Sequence, residues 1–170
     1  MATVYWITGL SGAGKTTIGR ILYEKIKRIY PNTVFLDGDI LRKVFGDDLG
    51  YDQEDRRKCA MRYARLCAML QEQDMNVVCC TISMFDSIRK WNRENIRNYR
   101  EIYVKVSMNT LRKRDQKGLY SGRSEEKQKG VVGIHMEIEE PKCPDLILKN
   151  DGDRKPEELA ECILQCCHIE

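Results

Sequence analysis

Along this chain the apolar positions switch repeatedly between two spacings. Val4–Ile7 is a short continuous apolar run and reads as a buried strand. Ile18, Ile21, Leu22 and Ile26 then recur at helical intervals across Thr17–Arg28, and Tyr30-Pro31-Asn32 closes that helix. Val34-Phe35-Leu36 reads as a second strand ending in Asp37-Gly38-Asp39. A charged, glycine-bearing stretch leads to Cys59, Tyr63, Leu66 and Leu70 on one face of a long helix. Asn76–Ile82 is a strand buried on both faces, Asp86–Asn98 a polar helix with Ile88, Trp91 and Ile96, and Ile102, Val104 and Val106 an alternating strand. Asn109–Asp115 reads as a short basic helix and Leu146-Ile147-Leu148 as a fifth strand. Pro156 opens a last helix with Leu159, Cys162, Ile163 and Cys166 on its apolar face. Alternation of this kind with short connections predicts a three-layer α/β domain over residues 1–170, built on a five-stranded parallel sheet. Lys117–Pro144 breaks the rhythm: it has no period, four glycines and many lysines and arginines, the pattern of a mobile lid.

Between the first strand and the first helix lies Gly-Leu-Ser-Gly-Ala-Gly-Lys-Thr-Thr, residues 9–17. Gly9, Gly14, Lys15 and Thr16 satisfy every fixed position of the phosphate-loop pattern G-x-x-x-x-G-K-[ST]. Such glycines let the backbone amides of Ser11, Gly12, Ala13 and Gly14 turn inward as an anion nest. The start of the helix, through Thr17, adds its positive end. Lys15 is expected to reach the outer phosphates and Thr16 to hold magnesium, so a nucleoside triphosphate and Mg2+ are expected.

Composition narrows the context. Net charge is +3, too small for a nucleic-acid binder, and no apolar run approaches the roughly 18 residues of a membrane span. Met1-Ala-Thr leads directly into the first strand, unlike a secretory leader. Cys59, Cys67, Cys79, Cys80, Cys143, Cys162, Cys166 and Cys167 form no C-x-x-C pair set and read as buried free thiols of a cytoplasmic protein.

Asp37 and Asp39 end the second strand, which should bring them out at the carboxyl edge of the sheet beside the phosphate loop. One carboxylate near magnesium and one near an acceptor hydroxyl is what in-line phosphoryl transfer needs. With Leu36-Asp-Gly-Asp, Leu49-Gly-Tyr, Asp55-Arg56, Arg114-Asp-x-Lys-Gly-Leu-Tyr120 and Lys129-Gly-x-x-Gly-Ile134, the chain resembles the adenylyl-sulfate kinase (APS kinase) family of phosphate-loop kinases across about residues 9–134. Pro141–Leu148 resembles that family's closing strand. The resemblance implies transfer of the ATP γ-phosphate to the ribose 3′-hydroxyl of a small-molecule nucleotide, beneath a lid at about 114–144. It implies catalytic roles for Asp37, Asp39 and Lys15, metal contact through Thr16 and Asp37, and an ATP contact from Arg114. Acceptor contacts fall on Asp39, Arg42, Tyr51, Arg56, Cys59, Ser83, Lys117, Lys129, Val131 and Ile134. A homodimer is compatible with it.

The departures from the family pattern gather on the acceptor side. Ile40 stands where the family has asparagine after Asp-Gly-Asp, Cys59 where it has an acceptor-contacting asparagine, and Met84 where it has proline after Ile-Ser. Val131 replaces a phenylalanine that, with the aromatic at Tyr51, would sandwich adenine; stacking of this kind is worth about 1–3 kcal/mol per base. Two acceptors stay open on this reading: adenylyl sulfate, or a cytidine nucleotide such as the diphosphoramidate used by kinases that resemble APS kinases. A GTPase switch would need a guanine-reading Asn/Thr-Lys-x-Asp, which the chain lacks. A non-catalytic nucleotide-binding module would not need the acidic pair.

Overall fold

A computed structural model of the chain describes residues 1–46, 48–115, 118, 120 and 137–169. The first strand, β1 (Val4–Thr8), is followed by α1 (Lys15–Ile29), β2 (Thr33–Asp37), α2 (Gly38–Val44), α3 (Gln53–Glu72) and β3 (Asn76–Thr81). Then come α4 (Asp86–Asn95), β4 (Tyr99–Lys105), α5 (Met108–Arg114), β5 (Leu146–Lys149) and α6 (Pro156–Cys166). The strands form one sheet in the order β2-β3-β1-β4-β5, and every pairing is parallel. Val4 pairs in register with Val77 on one side and Tyr99 on the other, so β1 is the central strand.

Alternation along β1 assigns the two faces. Tyr5 and Ile7 enter a cluster with Ile18, Leu22 and Ile26 of α1 and Leu159 and Ile163 of α6. Val4 and Trp6 point the other way, toward Cys59, Tyr63 and Cys67 of α3 and Ile88 of α4. Ile18, Leu22 and Ile26 are fully buried, and each such side chain contributes about 1.5–3 kcal/mol of apolar burial. That packing, rather than helix propensity, holds α1 across the sheet with its first turn at the carboxyl edge.

The five expected strands are all present, and the sheet is parallel as expected. Three readings need correction. Residues 38–44, part of the charged, glycine-bearing stretch to which the pattern assigns no element, form α2, because Asp37 caps them. Its Oδ1 accepts from the amides of Asp39 at 3.0 Å and Ile40 at 3.4 Å. The cysteines are all free, but only Cys59, Cys67, Cys79 and Cys80 are buried, while Cys143 and Cys166 are exposed. The buried face of α6 is accordingly Leu159, Ala160, Ile163 and Leu164, with Cys166 turned outward. Most of the expected lid lies outside the described residues. Among the described residues no helix is long and apolar enough to cross a membrane.

Candidate active site

At the end of β1 the chain turns through the glycine loop into α1. A Cβ on Gly9 would stand 2.5 Å from the carbonyl oxygen of Val104 in β4, so the loop passes β4 at a distance that only glycine allows. Gly14, the N-cap of α1, has φ +93° and faces the Asn150 side chain, whose Nδ2 would lie 2.6 Å from an added Cβ. No side chain caps α1 and its first turn carries no acid, which leaves its leading amides oriented for an anion.

The loop is braced from behind through its carbonyls. Asn150 Nδ2 donates to Ala13 O at 2.8 Å, the Tyr120 hydroxyl donates to Ser11 O at 2.7 Å, and Arg114 Nη1 reaches Gly12 O at 3.5 Å. Arg114 also donates through Nη2 to the Asn150 carbonyl at 2.8 Å. Turning the carbonyls of residues 11–13 toward these donors leaves the amide faces of the loop for phosphate oxygens. Burial, and then the charge of Asp115, push the Tyr120 hydroxyl up to about 12, so it is a donor at any ordinary pH. Lys15, itself buried, donates from Nζ to Leu10 O at 2.7 Å.

Asp37 meets the loop directly. The exposed Thr16 hydroxyl donates to Asp37 Oδ2 at 2.7 Å, while Asp37 Oδ1 is taken by the α2 cap. Two hard oxygens on adjacent elements suit a magnesium ion, which binds through few protein ligands and completes its shell with water and phosphate oxygens. Among the described residues no group of three or more His, Cys, Asp or Glu side chains gathers as a denser metal site. Asp39 lies exposed in the first turn of α2, and its backbone amide donates to Asp37 Oδ1.

The acceptor-side residues fall into three groups. Arg42 and Arg56 both hold the Tyr51 segment: Arg42 Nη2 donates to Leu49 O at 2.6 Å and also to Gly50 O, and Arg56 Nε donates to Tyr51 O at 2.8 Å. Their guanidinium carbons lie 4.0 and 5.2 Å from the Tyr51 ring centroid. Gly50 N donates to Asp55 Oδ2 at 2.7 Å, which closes the same loop onto α3. Ser83 lies two residues beyond β3, buried, with φ +30° and its hydroxyl 2.7 Å from that of Thr81. Cys59 is buried beneath α2, its thiol donating to the Tyr63 hydroxyl at 2.9 Å. Lys117, Lys129, Val131 and Ile134 lie outside the described residues.

Sequence patterns missed several participants. Asn150 was findable as a polar residue just past the fifth strand, at the same sheet edge as Asp37. Tyr63 looked like one more apolar position of α3, and no spacing marks its hydroxyl.

The chain matches the family model described as adenylylsulphate kinase over residues 1–149. It is 42% identical over 162 residues to the cytidine diphosphoramidate kinase of Campylobacter jejuni, covering 95% of this chain and 94% of that one. It is 35% identical to the adenylyl-sulfate kinase of Halothermothrix orenii, covering 93% and 85%. Its fold is similar, at a TM-score of 0.87 and 26% identity over 98% of both chains, to the Mycobacterium tuberculosis APS kinase CysC in complex with AMPPNP and APS. With the phosphate loop, the parallel sheet and these matches in agreement, the protein is an ATP-dependent nucleotide kinase and belongs to the adenylylsulphate kinase family.

Proposed function

We propose that this enzyme phosphorylates the ribose 3′-hydroxyl of a cytidine nucleotide of the diphosphoramidate type, using ATP and magnesium. The observation that carries the 3′-kinase reading is the 2.7 Å contact between Thr16 on the phosphate loop and Asp37 at the head of α2. It sets a carboxylate beside the phosphate-binding loop, where an acceptor oxygen must approach in line. Support for cytidine comes from the 42% identity to the Campylobacter enzyme, against 35% to the Halothermothrix adenylyl-sulfate kinase over a similar share of the chain. Ile40, Cys59 and Met84 add to it, since each departs from the adenylyl-sulfate pattern on the acceptor side. Adenylyl sulfate is the second reading, favoured by the family model and by the fold similarity to CysC.

In this mechanism the amides of residues 11–16 and the Lys15 ammonium bind the triphosphate and spread the charge that builds on the transferred group. Thr16 and Asp37 hold magnesium, which neutralises phosphate charge when bound. Asp37 also orients the acceptor hydroxyl and accepts its proton as the new phosphorus–oxygen bond forms and the bond from the γ-phosphorus to the β,γ-bridging oxygen breaks, releasing ADP. Arg42 and Arg56 set Tyr51 as an aromatic wall for the acceptor. Free cysteines fit a reducing compartment such as the cytoplasm, and the substrates are small nucleotides rather than nucleic acid.

Initial rates with ATP and a panel of acceptors test the reading. Cytidine diphosphoramidate should be turned over with a higher kcat/KM than adenylyl sulfate or uridine and guanosine nucleotides. Efficient use of adenylyl sulfate with no turnover of cytidine nucleotides would replace the first reading by the second.

A further inference from the structure

Tyr63 lies in α3, 25 residues from Gly38 in sequence, and its hydroxyl reaches the machinery from the side opposite the phosphate loop. The ring is 5% exposed and stacks on Phe45, with centroids 6.0 Å apart and planes at 19°. Its hydroxyl donates to the Gly38 carbonyl oxygen at 2.9 Å and accepts from the Cys59 thiol at 2.9 Å. The proton order is fixed by chemistry: a carbonyl only accepts, so the tyrosine proton points at Gly38 and its lone pair takes the Cys59 S–H. Burial pushes the Tyr63 hydroxyl well above the ordinary phenol range, so it remains a donor throughout the working pH range.

Gly38 is bonded directly to Asp37 and opens α2. On its other side a Cβ would meet Thr81 Oγ1 at 3.2 Å and Cys80 O at 3.4 Å, so β3 backs this residue closely. The Asp37–Gly38 segment is thus held between β3 and the Tyr63 hydroxyl. Asp37 has no slack of its own: one oxygen caps α2 and the other meets Thr16.

We propose that Tyr63 is a positioning residue for phosphoryl transfer: its hydroxyl fixes the start of α2, and with it the Asp37 carboxylate relative to Thr16. Because Asp55 and Arg56 of the same helix organise the Tyr51 segment, α3 joins the acceptor wall and the carboxylate in one rigid element. This rests on the role proposed above for Asp37, and it adds a residue that acts through Gly38 and Asp37.

Four proteins test it: the parent, Tyr63→Phe, Asp37→Asn and, as a remote hydroxyl control, Tyr99→Phe at the opposite end of the sheet. Measured are kcat, KM for ATP, the dissociation constant for a non-hydrolysable ATP analogue, and the thermal midpoint. Tyr63→Phe keeps the ring on Phe45 and should lower kcat about tenfold, the effect of losing one positioned hydrogen bond. KM for ATP and analogue affinity should stay within about twofold, the split expected when an interaction matters mainly in the transition state. Tyr99→Phe should keep the parent kcat. Should Tyr63→Phe melt below the assay temperature, p-aminophenylalanine and p-methylphenylalanine at position 63 give the same comparison at equal volume, with and without a donor. Recovery of kcat with the amine but not the methyl group supports the inference. Unchanged kcat on loss of the donor, with Asp37→Asn inactive, overturns it and leaves the Asp37 reading standing. An active Asp37→Asn overturns that reading itself.

Discussion

Replacing Asp37 by asparagine separates what the side chain does for the fold from what it does for the reaction. The amide keeps an Oδ1 that can accept from Asp39 N and Ile40 N, so the α2 cap survives. At the other oxygen an NH2 replaces the acceptor of the Thr16 hydroxyl, which can rotate to accept from it. What disappears is a charge at the head of a seven-residue helix, worth about 0.3–1 kcal/mol. For a chain of this size that lowers the melting temperature by about 1–4 °C. Catalysis loses far more, because the charge facing magnesium and the acceptor oxygen is gone. Loss of one preorganised electrostatic contact costs about 10²–10³ in kcat, or about 2.7–4 kcal/mol. Calorimetric binding of a non-hydrolysable ATP analogue should stay near parent affinity, since Lys15 and the loop amides are untouched. Asp37→Ala loses the cap as well, a further 0.5–2 kcal/mol or about that order of stability. A turnover for Asp37→Asn within a few-fold of the parent would refute this reasoning, whatever the melting temperatures did.

Lys15→Ala should weaken the binding of the ATP analogue and lower kcat together, because the ammonium serves ground and transition states alike; binding and steady-state kinetics read both. Asn150→Ala removes the brace on Ala13 O, which should cost about 0.5–1.5 kcal/mol of stability and raise KM for ATP, read by thermal melting and kinetics. Under native conditions a maleimide should label Cys143 and Cys166 well before Cys59, Cys67, Cys79 or Cys80, as peptide mapping would register. Burial pushes the Cys80 thiol from 9.0 up to about 12, so the folded state retains that proton longer than the unfolded chain. This group's contribution to stability is therefore fully present below pH 9.0 and is lost as pH rises toward 12, which melting curves across that range should reveal.

The sheet was legible because parallel strands buried on both faces, such as Val77-Val78-Cys79-Cys80, leave continuous apolar runs, and the phosphate loop because its glycines are sterically required. α2 was not legible: Asp37-Gly38-Asp39 carries turn chemistry, and one buried position, Leu41, is too little to show a helical period. The same aspartate that suggested a turn is the cap that starts the helix. Arg42 and Arg56 also donate to the carbonyls of Leu49, Gly50 and Tyr51, a backbone role that spacing cannot encode. Cys143 and Cys166 misled because cysteine counts as apolar in a pattern, while exposure depends on which face the helix or loop turns outward.

The central claim is the site of phosphorylation, and phosphorus NMR of the product tests it most directly. Incubation of the enzyme with ATP, magnesium and cytidine diphosphoramidate should yield ADP in step with a new phosphomonoester resonance that couples to the ribose H3′. A phosphoanhydride resonance in its place, or ADP release that does not depend on the acceptor, would contradict the account.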